Sequence, residues 1–218
     1  NLLEALRQTP NTRIMIVSSS EVYGQITTEQ LPVTEEHTTY PNNPYGISKM
    51  VQELLGQQYL AAEGFKVYIA RPFNHIGAGQ SHRFAIANFA AQIARMEKGL
   101  QPPILEVGNL AAERDFTDVR DTVRAYDLIM QKGRIGEPYN IGSGKSYSIR
   151  ALVDMLIAIA KIKVSIRVDE SRLRPIDVPR IVADASRLTK ETGWRPQIPI
   201  EQTIHDILED ARQSLSNH

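Results

Sequence analysis

An α/β fold built on a parallel sheet is the class this sequence predicts, and three observations carry it. A β-branched apolar run, Arg13-Ile14-Met15-Ile16-Val17, is followed by a helical segment over 45–63. A second apolar run, Lys66-Val67-Tyr68-Ile69-Ala70-Arg71, comes next. Strand, helix, strand in this order is a βαβ unit, whose buried parallel strands read as continuous apolar runs. Both runs end in polar or glycine-rich stretches, Ser18-Ser19-Ser20 and Phe73-Asn74-His75-Ile76-Gly77-Ala78-Gly79-Gln80. Strand carboxyl ends of that kind face the ligand crevice of an open α/β sheet.

The elements follow in order. Residues 1–8 read as the end of an amphipathic helix, and Asn11-Thr12 as a turn. Residues 25–44 carry prolines, threonines and acids without period, which predicts a loop. Pro44 suits the first turn of a helix, Leu54, Leu55, Tyr59 and Leu60 give that helix an apolar face, and Gly64 stops it. After the glycine loop a helix is expected over 84–98, then a short strand, Ile104 to Val107, turned by Gly108-Asn109-Leu110. The charged run Glu113-Arg114-Asp115-Phe116-Thr117-Asp118-Val119-Arg120-Asp121 reads, taken alone, as a solvated helix start, and its last part starts a helix. Asp118 would cap a helix over 119–131. Pro138 to Gly142 is a strand ending in a turn, Ser148 caps a helix over 149–160, and 163–168 alternates as a half-exposed strand. A stiff loop spans Leu173 to Pro179. A short helix begins at Asp184 and ends before Gly193, and a last amphipathic helix covers 200–215.

Composition narrows the function. The chain has 218 residues, 42% apolar and 23% charged, ordinary for a globular protein. Lysine plus arginine equals aspartate plus glutamate, so no global charge favours nucleic acid or an anionic membrane. Cysteine is absent, which excludes disulfides and thiol chemistry and is compatible with a reducing cytoplasm. No apolar run approaches a membrane span. The histidines show no ligand-like spacing, so no metal site is expected.

The chemistry lies in Pro44-Tyr45-Gly46-Ile47-Ser48-Lys49 and Ser18-Ser19-Ser20-Glu21-Val22-Tyr23-Gly24. Tyrosine four residues before lysine puts both on one helix face. A free phenol ionises near pH ~10, and a neighbouring ammonium favours the phenolate. A serine hydroxyl beside them would complete a device that holds a carbonyl or alcohol oxygen and moves its proton, as hydride transfer at the adjacent carbon requires. The spacing alone is weak, and an ordinary exposed helical pair would look the same.

The surroundings raise its weight. Ser-Ser-Ser-Glu-Val-Tyr-Gly, Pro-Tyr-Gly-Ile-Ser-Lys, Arg-Pro-Phe-Asn-His, the Gly-Asn-Leu turn with Arg-Asp-Phe-Thr-Asp-Val-Arg-Asp, Tyr-Asn-Ile-Gly, Leu-Arg-Pro and Gly-Trp-Arg-Pro occur in this order. Together they resemble the extended short-chain dehydrogenase/reductase family that acts on nucleotide sugars. The resemblance covers nearly the whole chain. It implies a partial Rossmann-like parallel sheet and a small α/β substrate-binding domain. Residues 1–79 and 113–142 would belong to the dinucleotide-binding part, and 80–112 and 143–218 to the sugar part. Phe-Asn-His-Ile-Gly-x-Gly-Gln and Val-Gly-Asn-Leu-x-Ala-x-Arg-Asp-Phe-Thr-Asp-Val-Arg-Asp are most similar to members that reduce the C4 ketone of a GDP-4-keto-6-deoxyhexose with NAD(P)H. The product would be a GDP-6-deoxyhexose of the GDP-D-rhamnose type.

The same resemblance implies roles. Ser19 would bond the C4 oxygen, Tyr45 would give it a proton, and Lys49 would tune Tyr45 and hold the nicotinamide ribose. Glu21 stands where the family's dehydratases keep a base. Ser18, Phe73 and His75 would line the cofactor, NADP or NAD. Asn74 would contact the sugar diphosphate, Val107 and Asn109 the nucleotide base, and Arg114 and Arg174 the diphosphate, where a planar cation gives paired hydrogen bonds. A homodimer through the Tyr-Lys helix is implied, as is a cytoplasmic enzyme with neither nucleic acid nor membrane as partner.

One departure is large. The family's Gly-x-x-Gly-x-x-Gly phosphate loop has no match here, and an incomplete sheet would expose apolar faces, so a longer native chain is expected. Two other readings follow. A 4,6-dehydratase or 4-epimerase would use Glu21 and recycle its nicotinamide, although Ile76-Gly77-Ala78-Gly79 does not fit the glutamate- and arginine-rich stretch of the GDP-mannose dehydratase. A non-catalytic fragment would bind nucleotide sugar without redox chemistry.

Overall fold

The computed structural model describes residues 2–9, 11–169, 171 and 178–216. Its first sheet has three parallel strands, β1 (Arg13–Val17), β2 (Lys66–Pro72) and β6 (Pro138–Ile141), in the order β1-β2-β6. Ile14 pairs with Val67 and Val17 with Ala70, while Ile69 pairs with Pro138 and Pro72 with Ile141. Side chains alternate between the two faces of such a sheet. Ile14, Val67 and Ile69 meet Tyr59 and Leu60 of helix α2 (Pro44–Glu63), with Leu3 and Leu6 of α1 (Leu2–Leu6) alongside. Tyr68, Ala70, Tyr139 and Ile141 meet Ala125 and Ile129 of α4 (Val119–Lys132) on the other face. Leu188 of α6 (Ser186–Thr192) and Trp194, which the sequence reading groups with the sugar part, pack on this face too.

α2 differs from its expected amphipathic pattern. Leu54 is 52% exposed and Leu55 48% exposed, whereas Gly46, Glu53 and Gly56 are buried. The reason is closeness. A Cβ at Gly56 would lie 3.0 Å from Ile16 Cγ1 and 3.1 Å from Val67 Cγ1, so a small residue lets the helix settle directly on the sheet. The helix begins at Pro44, is capped by Asn43, and ends at Gly64 in the left-handed region, with φ 70°.

A second sheet was not expected from the sequence. β3 (Asn74–Ile76) pairs in parallel with β5 (Glu113–Asp118), which also pairs with β7 (Ser146–Ser148) and β9 (Arg180–Ile181). The first part of the charged run, 113–118, is therefore a strand, while its last part starts α4 as expected, and the start of the glycine loop is the strand's neighbour. A charge can sit there because Asp115, fully buried, accepts hydrogen bonds from Ser143 N (2.7 Å), Ser143 Oγ (2.6 Å), Gly144 N (2.9 Å) and Ala183 N (3.1 Å). Burial still raises its carboxyl above the ordinary value against those bonds.

The larger apolar core lies beyond this sheet. It joins α3 (Ala85–Glu97), α5 (Ile149–Ala158) and α7 (Ile200–Ser216) to β4 (Ile104–Val107), which pairs in parallel with β8 (Ser165–Val168). Ile76 and Phe116 reach into it from β3 and β5, so the second sheet braces one core against the other.

Asp118 links β5, α4 and α7. Its carboxylate caps α4 through Arg120 N at 2.8 Å and also takes Arg120 Nη2 and Thr203 Oγ1, each at 2.8 Å. Burial works to raise its pKa, but Arg120 and Thr203 outweigh it and hold the carboxyl below its ordinary value. A depressed carboxylate contributes stability above its unfolded value and loses it as pH falls through the folded one. Asp118→Ala is expected to cost about 2 kcal/mol at neutral pH. Urea midpoints at neutral pH and near pH ~3 should show the difference from the native protein shrinking in acid.

Candidate active site

The carboxyl ends of β1, β2 and β6 point the same way, and the predicted functional residues follow them. The ladder runs on past the strands, with Ser18 N donating to Ala70 O and Phe73 N to Ile141 O, each at 2.8 Å. After Ser18 the chain turns into a 3-10 helix, Ser20–Tyr23, whose cap is Ser19. Ser19 Oγ accepts from Glu21 N at 3.2 Å, which uses a lone pair of the hydroxyl and not its proton.

This turn and α2 are fitted together. A Cβ on Gly46 would lie 2.6 Å from Glu21 O, so only glycine permits the approach. Asn43 serves both segments. Its Oδ1 accepts from Gly46 N at 2.8 Å, and its Nδ2 donates to the Glu21 carboxylate at 2.7 Å. The sequence reading did not single out Asn43; an Asn directly before a Pro that opens a helix is the signal it left unused.

Tyr45, in the first turn of α2, is 55% exposed and directly precedes Gly46, the residue that meets the turn carrying the buried Ser19. Lys49 Nζ lies 5.6 Å from the Tyr45 ring centroid and donates to Val17 O at 2.9 Å, so the cation is anchored at the end of β1. A largely apolar groove of about 520 Å³ runs from Lys49 along β1, lined by Ile14, Ile16, Val17, Gln52 and Leu55 among others. Ser18 Oγ is buried and has no hydrogen-bond partner in the structure. Lys49 puts a cation on this groove, and Ser18, next in the chain to Val17, keeps a buried hydroxyl with spare hydrogen-bonding capacity, donors of the kind a ribose takes.

The remaining predicted residues spread along the crevice and beyond it. Phe73 is buried among Val22, Tyr23, Ile26 and Val33. His75 is half-buried, its Nδ1 3.2 Å from Phe73 O, and Asn74 is exposed on β3. Val107 is fully buried in the larger core and its carbonyl accepts from Asp169 N at 2.8 Å, so its side chain supports the turn from inside. Asn109 is exposed, its Oδ1 accepting from Ala111 N at 2.9 Å. Arg114 is half-buried on β5, with Nη1 donating to Glu113 O (2.8 Å) and Val178 O (2.7 Å). Arg174 lies outside the described residues. Ser18, Ser19, Glu21, Tyr45 and Lys49 thus belong to two segments in contact, while Val107 and Asn109 lie on the other body. Among the described residues, no group of His, Asp and Glu is placed to hold a metal ion, and no helix is long and apolar enough to cross a membrane.

The sequence profile of one family, described as GDP-mannose 4,6 dehydratase, matches residues 1–207. GDP-6-deoxy-D-mannose reductase of Pseudomonas aeruginosa is 43% identical, over 96% of this chain and 69% of that protein. GDP-mannose 4,6-dehydratase of Vibrio cholerae is 26% identical, over 100% of this chain and 66% of that protein. A solved structure, that of RMD from Pseudomonas aeruginosa complexed with NADPH, superposes with a TM-score of 0.93 at 41% identity, covering 98% of this chain and 71% of that one. The structure of dTDP-glucose 4,6-dehydratase from Bacillus anthracis in complex with NAD gives a TM-score of 0.85 at 26% identity, over 99% and 66% of the two chains. The chain therefore spans between 66% and 71% of the length of these relatives.

Proposed function

The chain belongs to the GDP-mannose 4,6-dehydratase family, and from that premise we propose that it reduces the C4 ketone of a GDP-4-keto-6-deoxyhexose to a GDP-6-deoxyhexose. The observation that carries this reading is the Tyr45–Lys49 pair fitted against the Ser19 turn, in a chain 43% identical to a reductase of that substrate class. NADPH or NADH, when bound, supplies the hydride. Lys49 would hold the nicotinamide ribose, with Ser18, Phe73 and His75 lining the cofactor. Ser19 donates a hydrogen bond to the C4 oxygen and fixes it, keeping its own proton. Tyr45 passes its phenolic proton to that oxygen as the carbon is reduced, and the Lys49 cation favours the charge left behind. Glu21, held by Asn43, shapes the sugar site. Asn74, Arg114 and Arg174 take the sugar diphosphate, and the turn from Val107 to Asn109 takes the base.

In this reading residues 1–79 and 113–142 serve the cofactor, and 80–112 and 143–218 the sugar nucleotide. A homodimer is supported by Ile47, Val51 and Leu54, an apolar strip on α2 that is 47–52% exposed. The reaction runs in the cytoplasm, with neither nucleic acid nor membrane as partner.

The experiment is an assay of the native gene product with GDP-4-keto-6-deoxymannose and NADPH. One NADPH should be oxidised per hexose reduced. Turnover of GDP-mannose with no net NADPH consumption would replace this reading with the dehydratase one.

A further inference from the structure

The segments that carry the site are joined beneath it by a buried polar cluster that takes no part in the proposed reaction. Arg71, near the carboxyl end of β2, donates Nε to Glu53 Oε1 at 3.0 Å and Nη2 to Glu53 Oε2 at 2.7 Å. Glu53 lies on α2, one turn beyond Lys49. Arg71 Nη1 donates to the Tyr23 phenol oxygen at 3.1 Å, and that phenol donates to Asn140 Oδ1 at 2.7 Å. Tyr23 closes the 3-10 helix that Ser19 caps. Asn140 Nδ2 donates to Val33 O at 2.9 Å, and Asn140 N to the Glu35 carboxylate at 2.8 Å. Tyr23, Glu53, Arg71 and Asn140 are 2%, 1%, 6% and 0% exposed.

Burial pushes the Tyr23 phenol up to about 12, so it remains a neutral donor. Burial works against the Arg71 cation, but Glu53 and Tyr23 outweigh it and hold the group firmly charged. Stability is a poor reason for such a cluster, since apolar residues of similar volume often replace a buried ion pair at no net cost. Direction is a better one. A bidentate fork fixes the guanidinium plane, and its third donor then fixes the phenol. Glu53 comes from α2, Tyr23 from the Ser19 turn, and Arg71 itself from the strand that leads into Phe73, Asn74 and His75.

We propose that Arg71 is a positioning residue: through Glu53 and Tyr23 it sets where the Tyr45–Lys49 face of α2 stands relative to the Ser19 turn. The kinetic part of this inference rests on the reductase reading; the structural part does not. The test uses the native gene product, the double variant Glu53→Leu with Arg71→Met, and Tyr23→Phe. The double variant removes both charges together and should unfold within a few degrees of the native protein. Its kcat should fall about tenfold to a hundredfold at unchanged KM, the scale of a small misplacement. Hydrogen exchange at the amides of Glu21, Gly24 and Gly46, which needs no turnover, should be faster by about tenfold while the amides of the far core hold. Tyr23→Phe, which keeps the ion pair, should repeat both effects on a smaller scale, and it carries the test if the double variant does not fold. Native kcat and native exchange at those amides in the folded variants would overturn the proposal. So would faster exchange spread evenly over the chain, which marks lost stability alone. If the native protein reduces no ketone, the reductase reading fails, and the exchange measurement decides the positioning role by itself.

Discussion

Tyr45→Phe is expected to lower kcat for NADPH-dependent reduction by about 10²–10⁴-fold, the range a positioned proton donor contributes. The substitution deletes one oxygen from a side chain that is 55% exposed and has no structural duty in a core, so the fold should be untouched. Asn43 would still cap α2, and Lys49 would still reach Val17 O. KM for the sugar nucleotide should therefore stay close to native while kcat collapses, the signature of an interaction made in the transition state. Full activity in the folded variant would remove Tyr45 from the mechanism and leave the Ser19 turn without its proton donor.

Arg71→Met alone is expected to be the most damaging single substitution for stability. It leaves Glu53, 1% exposed, as a buried carboxylate without its cation, and it takes a donor from the Tyr23 phenol. Breaking a buried pair from one side costs about 3–5 kcal/mol. At about 2–4 °C per kcal/mol for a chain of this size, the thermal midpoint should drop by roughly 6–20 °C, read by circular dichroism. Adding Glu53→Leu should recover most of that loss, because the uncompensated charge goes with it. A midpoint within a degree or two of native in Arg71→Met would mean that water or a neighbour satisfies Glu53, and the cluster would lose its rigidity as an explanation.

The frame of the fold was readable because its signals are local. The runs 13–17 and 66–71, Pro44 and Gly64 around α2, and the caps Asp118 and Ser148 stand in the structure where short-range chemistry puts them. The second sheet was not readable. Its central strand holds Asp115, and a carboxylate that will be satisfied by Ser143, Gly144 and Ala183 looks in sequence like a solvated charge. The inward face of α2 was misjudged for a related reason. Closeness to β1 selects Gly56 and a paired Glu53, while Leu54 and Leu55 are left outside and Tyr59 and Leu60 pack inward as expected.

Within the site, the Tyr45–Lys49 spacing was visible because both residues share one helix. Arg71, Glu53, Tyr23 and Asn140 are brought together from four separate elements, and no short pattern announces that meeting. Val107, expected at the base, has its side chain within the larger core, so any role it plays is as the inner support of the turn at Asn109.

The central claim is tested most directly with NADPH carrying deuterium at the transferable position. The native gene product, given GDP-4-keto-6-deoxymannose, should yield a GDP-6-deoxyhexose with one deuterium, and nuclear magnetic resonance should place it at C4. A product without deuterium, formed while the nicotinamide is neither consumed nor exchanged, would contradict the reductase account and point to internal hydrogen transfer of the dehydratase or epimerase kind.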